Sequence, residues 1–385
     1  MTKHDQTIAC SVGINCDEGQ GAVVPPLYLS ANYSFAGYGE KRQFDYSRTG
    51  NPTRALLGDA LAQLECGAGG VVTSSGMSAV DLVLSLLPAG ARVIAPHDCY
   101  GGTWRLFDAR ARKGAIQVVF VDQNDPEALN AAFADGAALL WIETPSNPLM
   151  RIVDVEALSK RAHAAGARVA VDNTFLSPAL QKPLTLGADF VVHSTTKYIN
   201  GHSDVVGGAV VAARAEDAQE LAWWANCTGV TGAPFDAWLT LRGLRTLSVR
   251  IAQQEQTAQL LAERLASHPA VARVYYPGLR DHPGHEIARR QQQGFGAMLS
   301  FELRDGDARA FIGSLNTFTL AESLGGIESL IAHPASMTHA SMSLEARAKA
   351  GITDALFRVS VGLEHAEDLL ADLEAALTKA HRLAA

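Results

Sequence analysis

A lysine beside two hydroxyl residues is the feature of this 385-residue sequence that most clearly points to chemistry. Lys197 lies in the segment DFVVHSTTKYINGHS, shortly after an apolar run and next to Ser194 and Thr196. Most lysines are solvated surface residues, and that alternative applies here as well. A lysine that follows a buried strand can instead face inward, where burial or a nearby cation lowers its pKa and makes the amine a nucleophile.

Two further features lie at the ends of apolar runs. Asp172 closes ARVAVD, where its carboxylate could hold a proton on a heterocyclic nitrogen, although it could also be a turn or capping aspartate. In VVTSSGMSAVDLVLSLL, a strand gives way at Gly76 to a helix whose free N–H groups could bind a phosphate. An ordinary serine helix cap is the alternative for that segment.

These three features together match what pyridoxal phosphate requires of a protein: a phosphate site, a partner for the ring nitrogen and an amine able to form a Schiff base. The alternatives for the separate residues are largely independent, so their joint occurrence favours pyridoxal 5'-phosphate as the cofactor. The sequence has no Gly-x-Gly-x-x-Gly after a strand and no P-loop motif, which disfavours dinucleotide and P-loop chemistry.

Composition and charge exclude several other classes of function. A net charge of −8, from 32 basic and 40 acidic residues, disfavours nucleic acid as a partner. The five cysteines are scattered, and His282 and His285 lie in the turn-like DHPGHE without a third ligand, so no metal site is expected. Because neither a signal peptide nor a membrane span is evident, we expect a cytoplasmic protein without a membrane partner.

Alternating apolar runs and amphipathic segments predict the elements that position these residues. Short runs that are apolar on both faces and alternate with helices indicate an α/β fold with a mainly parallel sheet covered by helices. Ligands of such sheets bind beyond the carboxyl ends of the strands. The predicted strands are ARVIAP (91–96), IQVVFVD (116–122), ALLWIET (138–144), ARVAVD (167–172), DFVVHS (189–194) and GGAVVAA (207–213).

The pattern divides the chain into three parts. Residues 1–55 are an N-terminal arm, 56–245 a cofactor-binding domain, and 246–385 a smaller C-terminal α/β domain. Residues 1–50 carry little helical or strand periodicity, whereas NPTRALLGDALAQLE predicts a helix with an Asn51 cap and proline at its first position. The last part begins with a long predicted helix and ends with another from about Glu364. Its predicted strands lie in VARVYY, AMLSFELR and ALFRVSVG.

The sequence resembles the Cys/Met-metabolism family of pyridoxal-phosphate enzymes. DFVVHSTTKYINGHS fits that family's cofactor-attachment signature, and similar segments extend from YSRTGNPTR to LFRVSVGLE. The resemblance implies the type I PLP-dependent transferase-like fold, with a seven-stranded type of sheet. It is strongest to bacterial members that perform γ-replacement, in APHDCYGGTWRLFDA, ELAWWANCTGVTGAPFDAWLTLRGLRTL and TLAESLGGIESLIAHPASMTHA.

The resemblance also implies roles for the cofactor-site residues. Lys197 would carry the cofactor and then move protons, Asp172 would keep the pyridine nitrogen protonated, and Tyr100 would stack on the ring. Tyr46 and Arg48 would reach the phosphate of a neighbouring subunit, so that the active site is shared within a dimer. The family is usually a tetramer built from two such dimers. The remaining phosphate-binding residues would be Gly76, Met77, Ser194 and Thr196.

Substrate-binding residues follow from the same resemblance. Arg358 would bind the α-carboxylate, since a guanidinium suits bidentate pairing. Asn147 would lie beside the ring's phenolic oxygen, and Ser323 would orient the catalytic lysine. Arg105 and Glu322 would lie near the substrate side chain, and a structural ion pair is the alternative for both.

The activity implied is γ-replacement, which joins O-succinyl-L-homoserine or a related O-acyl-homoserine to L-cysteine and gives L-cystathionine and succinate on the transsulfuration route to methionine. Cleavage of cystathionine and sulfhydrylation of an O-acylhomoserine are alternatives on the same scaffold. Methionine γ-lyases of the family usually carry a cysteine directly after the Tyr-Gly pair, where this chain has Gly102, which disfavours that activity.

Overall fold

The strands of the protein form a large sheet and a smaller one. The computed structural model describes residues 3–304, 307–340 and 344–384. Within those residues the large sheet has seven strands and the smaller one has five. The large sheet contains β1 (Gly69–Thr73), β2 (Ala91–Pro96), β3 (Ile116–Val121), β4 (Leu139–Glu143), β5 (Arg168–Asp172), β6 (Phe190–His193) and β7 (Gly208–Ala212). The smaller sheet contains β8 (Val271–Tyr275), β9 (Met298–Leu303), β10 (Thr319–Leu320), β11 (Leu330–Ala332) and β12 (Leu356–Ser360).

The large sheet has the order β1-β7-β6-β5-β4-β2-β3 and is parallel except for β7, which runs antiparallel to both of its neighbours. Successive side chains of a strand point to opposite faces of the sheet, so they pack in different apolar clusters. Leu139 and Trp141 pack in one cluster, while Leu140 and Ile142 pack in another. The predicted α/β fold with a mainly parallel sheet covered by helices is therefore confirmed.

Helices connect the strands, and several begin at a residue whose side chain caps them. Asn51 accepts the N–H of Arg54 at the start of α2, and Ser75 accepts the N–H of Ser78 at the start of α3. No helix among the described residues has the length and apolar composition needed to cross a membrane. The helices are α1 (Asp5–Ser11), α2 (Pro52–Leu64), α3 (Gly76–Leu84), α4 (Gly101–Arg112), α5 (Pro126–Ala134), α6 (Val155–Ala164), α7 (Ser177–Leu180), α8 (Ala215–Thr228), α9 (Pro234–Leu244), α10 (Leu247–Ala266), α11 (His285–Gln291), α12 (Ala308–Ile312), α13 (Leu344–Ala350) and α14 (Ala366–Ala384), with a 3-10 turn at Pro183–Leu186.

The N-terminal arm is less irregular than its sequence predicts, because α1 forms within it. The helix is short and its side chains show too little periodicity for a sequence signal. Contacts with residues distant in sequence hold the helix in place. The Lys182 Nζ atom donates to Asp5 Oδ1 at 2.7 Å, and Ala9 is buried. The expectation of an arm without helical structure was therefore wrong for these seven residues.

Aromatic packing anchors the smaller sheet. The rings of Phe301 on β9, Phe357 on β12 and Phe311 on α12 are fully buried, with centroids 4.9–5.7 Å apart. Phe357 immediately precedes Arg358, so this cluster determines where that arginine lies. The small β10 and β11 were not predicted, because two or three residues carry too little pattern.

Phe301→Ala should lower the free energy of unfolding by about 3–5 kcal/mol, because it removes a buried ring that its neighbours cannot replace. Phe235→Ala is a matched control, since the Phe235 ring is half-exposed and the change should cost within about 0.5 kcal/mol. Urea unfolding followed by circular dichroism measures both. Equal losses in the two variants would show that the aromatic cluster does not stabilise the fold.

Candidate active site

A cavity of about 530 Å³ lies at the carboxyl ends of the central strands. Parallel strands bring residues distant in sequence together at this edge, which is where ligands of such sheets bind. Most of the predicted site residues line the cavity: Gly76, Met77, Tyr100, Arg105, Asn147, Asp172, Ser194, Thr196, Lys197, Glu322, Ser323 and Arg358. Its volume is in the usual range for a small-molecule site.

One end of the cavity is formed by the first turn of α3 and the loop after β6. A Cβ atom on Gly76 would lie 2.7 Å from the Cβ of Ser194, so only glycine lets these segments approach so closely. The Thr196 hydroxyl accepts the N–H of Gly207 at 3.0 Å, which fixes this loop. Free N–H groups at the start of α3 and two hydroxyls thus meet in one place, a donor set that suits a phosphate. Ser75 also caps the helix, so the alternative of a serine cap is confirmed, and the phosphate site stays a prediction.

Asp172 ends β5 and faces the cavity. Its Oδ1 accepts the backbone N–H of Thr174 at 3.0 Å, the turn contact considered as its alternative role. The Thr174 hydroxyl accepts the N–H of Ser194 at 2.9 Å and interacts with Asp172 as well. Burial raises the pKa of Asp172, and the hydrogen bonds from Thr174 oppose that rise. A positively charged ring nitrogen would compensate this buried carboxylate.

Lys197 donates from Nζ to the Ser323 hydroxyl at 2.7 Å. The pKa of Lys197 is lowered to about 8, mainly by burial and also by the charge of Arg358, while the charge of Glu322 opposes the shift. An amine with this pKa is partly deprotonated near neutral pH and can act as a nucleophile or base. Ser323 itself has a φ of 85°, a left-handed conformation that directs its hydroxyl to the amine at some cost in strain.

A buried arginine holds the loop that follows Lys197. Arg250 on α10 donates from Nη1 to the carbonyl of Tyr198 at 2.9 Å and from Nη2 to that of Gly243 at 2.9 Å. A Cβ atom on Gly201 would lie 2.0 Å from Arg250 Nη1, so the guanidinium fits only because position 201 has no side chain. This contact ties the lysine loop to the long helix.

Arg358 is buried on β12, and neutral groups hold it. Its Nη1 donates to Asn147 Oδ1 at 3.0 Å and its Nη2 to the carbonyl of Ser323 at 2.8 Å. The buried Nε has no hydrogen-bond partner among the described residues. Burial lowers the pKa of Arg358 to about 10, and the guanidinium remains charged at neutral pH. A bound carboxylate would supply the missing negative charge.

Tyr46 and Arg48 are the predicted site residues that the structure does not bring to this cavity. Tyr46 is half-exposed, and the Arg48 guanidinium lies 5.6 Å from its ring centroid on the surface of the arm. Their side chains are therefore accessible to another molecule rather than to their own chain's site.

The sequence prediction missed Glu143 and Thr174, which also line the cavity. Glu143 ends β4 just as Asp172 ends β5, so the same signal could have identified it in ALLWIET. Thr174 lies two residues beyond Asp172 in VDNTF, and only its contacts distinguish it from an ordinary turn residue.

These residues fit pyridoxal phosphate, since one cavity holds N–H and hydroxyl donors for a phosphate, a buried carboxylate and an amine of lowered pKa. The sequence model of the Cys/Met metabolism PLP-dependent enzymes matches residues 6–378. The chain belongs to this family. It is an enzyme that depends on pyridoxal phosphate, and members of this family act on small amino-acid substrates.

Relatives within the family include synthases and lyases. The cystathionine gamma-synthase of Escherichia coli (strain K12) is 56% identical over 378 residues, 97% of this chain and 98% of that protein. The cystathionine beta-lyase of Lactococcus lactis subsp. cremoris (strain MG1363) is 48% identical over 368 residues, 95% of this chain and 97% of that protein. Cystathionine gamma synthase from Xanthomonas oryzae pv. oryzae, solved with aminoacrylate and cysteine, superposes with a TM-score of 0.98 at 59% identity, covering 99% of this chain and 100% of that one.

The rate at which pyridoxal phosphate attaches to cofactor-free protein should rise with pH around a midpoint near 8, because only the deprotonated amine of Lys197 attacks. Glu322→Gln should move the midpoint to lower pH, since the negative charge of Glu322 raises the pKa of Lys197. The growth of visible absorbance measures the rate, and borohydride reduction with peptide mapping locates the attachment. Lys197→Ala should form no band. A midpoint near the ordinary lysine value of 10.5 would contradict the buried amine.

Proposed function

We propose that the enzyme catalyses γ-replacement, joining O-succinyl-L-homoserine, or a related O-acyl-homoserine, to L-cysteine to give L-cystathionine and succinate. The observation that carries this proposal is a cavity with two arginines: Arg358, buried, and Arg105, exposed on α4. O-Succinylhomoserine has two carboxylates, one on the α-carbon and one at the end of the acyl group. The high identity to cystathionine gamma-synthases supports the same assignment.

The charged residues Lys197, Arg358 and Asp172 of the cavity then have roles in this reaction. The cofactor, when bound, supplies an electron sink for negative charge on the α-carbon. The Lys197 amine takes the α-proton, and the Ser323 hydroxyl, its partner at 2.7 Å, directs it. Arg358 binds the α-carboxylate, and Asp172 keeps the ring nitrogen protonated.

The bond from the γ-carbon to oxygen breaks and succinate leaves with the electron pair. The cysteine thiol gives its proton to solvent, and its sulfur forms the new bond to the same carbon. The Lys197 ammonium returns a proton to the α-carbon, so the net proton released is that of the thiol. Arg105 binds the distal carboxylate of the acyl group, while Glu322, which shares the cavity, interacts with the ammonium form of Lys197. The acyl leaving group is thus recognised by charge at a point remote from the reacting atoms.

We infer that the working enzyme is a homo-oligomer, a tetramer of two dimers, in which the arm of one subunit completes the site of its neighbour. Tyr46 and Arg48 lie on the surface and away from their own cavity, which supports this arrangement. Residues 1–55 are then the intersubunit arm, 56–245 the cofactor domain and 246–385 the domain that supplies Arg358.

Cleavage of cystathionine is the second candidate function, because a cystathionine beta-lyase is 48% identical to this chain. Cleavage and synthesis need the same binding of the α-amino acid and differ in which group leaves. The same cavity serves both reactions, so rates on defined substrates distinguish them.

Supplied with O-succinylhomoserine and cysteine, the enzyme should form cystathionine with a higher kcat/KM than it shows for cystathionine cleavage. Arg105→Gln should lower kcat/KM for the succinyl ester about tenfold or more, because it removes one charge-assisted hydrogen bond. O-Acetylhomoserine lacks the distal carboxylate and serves as the matched control, with little expected change. Liquid chromatography of the products measures each rate. Faster cleavage than synthesis would refute the synthase assignment.

Mixing Tyr46→Ala and Lys197→Ala proteins should restore activity, since a mixed dimer contains one site in which both residues are native. Either variant alone should be nearly inactive. Activity is measured after subunit exchange, with heterodimers verified by differently tagged chains. Verified heterodimers that stay inactive would show that Tyr46 acts within its own subunit or not at all.

A further inference from the structure

A second acidic residue lies beside Asp172 in the wall of the cavity. Glu143 and Asp172 are the last residues of β4 and β5, and the register of these parallel strands pairs them directly. Glu143 is 6% exposed and its carboxyl group faces the same cavity. The reaction described above gives it no role.

The Glu143 carboxyl group forms hydrogen bonds with two backbone segments that border the cavity. Its Oε2 atom accepts the N–H of Tyr100 at 2.8 Å, and the N–H of Asn147 also interacts with its carboxyl group. Tyr100 is the residue before α4, and no side-chain cap forms at that position, so this hydrogen bond helps fix where the tyrosine stands. One carboxyl group therefore fixes the two backbone segments that carry Tyr100 and Asn147.

Two adjacent buried carboxyl groups cannot both be ionised at low cost. Each carboxyl group accepts two hydrogen bonds, Asp172 from Thr174 and Glu143 from two backbone N–H groups. Asp172 is the one proposed to face the protonated ring nitrogen, so an ion pair offsets its charge and it is the carboxyl that stays ionised. Burial raises the pKa of Glu143 well above its ordinary value, and the charge of Asp172 raises it further. Asp98, Cys99 and Tyr100 are further titratable groups that interact with this carboxyl, and none of them adds a cation.

We propose that Glu143 is a positioning residue that acts as a neutral hydrogen-bond acceptor. It holds Tyr100 and Asn147 in place around the cofactor, and it leaves Asp172 as the anion opposite the ring nitrogen. The inference rests on the cofactor site and on the roles proposed for Tyr100, Asn147 and Asp172. It does not depend on which amino acid is the substrate.

The test compares Glu143→Gln with Glu143→Leu in the full-length protein. Glutamine keeps an acceptor oxygen and cannot ionise, so affinity for pyridoxal phosphate and kcat should stay within about threefold of the native values. Leucine has a similar volume but no acceptor, so affinity for the cofactor should fall about tenfold or more and the visible absorbance band should shift. Cofactor affinity is titrated by absorbance without any amino-acid substrate, so a wrong substrate assignment would not affect the result.

Gln123→Ala is the matched control for the loss of a buried hydrogen bond near β4. Gln123 donates to the carbonyl of Trp141 at 2.7 Å and does not belong to the cavity lining. The Gln123→Ala variant should unfold at a lower urea concentration but keep the native cofactor affinity and absorbance band. If the Glu143→Leu variant does not fold, Glu143→Met takes its place as the variant without an acceptor oxygen. If Glu143→Gln lowers cofactor affinity as much as Glu143→Leu does, the neutral-acceptor role is wrong. If Glu143→Leu binds the cofactor with native affinity, the positioning role is wrong.

Discussion

The active site depends on keeping three charged side chains in one buried place without letting them neutralise each other. Lys197, Asp172 and Arg358 would pair readily if they could meet, because attraction between opposite charges strengthens away from water. The protein hydrogen-bonds each to a neutral group instead: the Ser323 hydroxyl, the N–H of Thr174, and the side-chain oxygen of Asn147. Their charges therefore stay available to a cofactor and a substrate.

The architecture supplies these neutral partners from distant parts of the chain. The large sheet provides Asp172 and Asn147 at its carboxyl edge, whereas the smaller sheet and its loops provide Arg358 and Ser323. Ser323 joins the two, because its hydroxyl meets Lys197 and its carbonyl meets Arg358. A displacement of the smaller sheet would therefore change the surroundings of the Lys197 amine and of the Arg358 guanidinium together.

Sequence patterns predicted the strands of the large sheet and most of the cavity, because short apolar runs and polar residues at strand ends are local signals. Lys197 and Asp172 were predictable in this way, and the family resemblance added Tyr100, Arg358 and Ser323. The contacts of Arg250 and Thr174 could not be predicted, since they depend on which backbone carbonyl or carboxylate lies opposite after folding. Helix α1 was missed for the same reason, as Lys182 is 177 residues away from the aspartate it contacts.

The contact between Arg250 and the glycine at position 201 limits which residues the lysine loop can contain. Any side chain at 201 would occupy the space of the guanidinium, and loss of the guanidinium would leave the carbonyls of Tyr198 and Gly243 without that donor. We expect a change at either position to disturb the loop that carries the Lys197 amine. Gly201 also has a φ of 72°, so replacing Arg250 would not make that position tolerant of a side chain. Position 201 is thus restricted to glycine for two separate reasons, which narrows the changes that the lysine loop can accept.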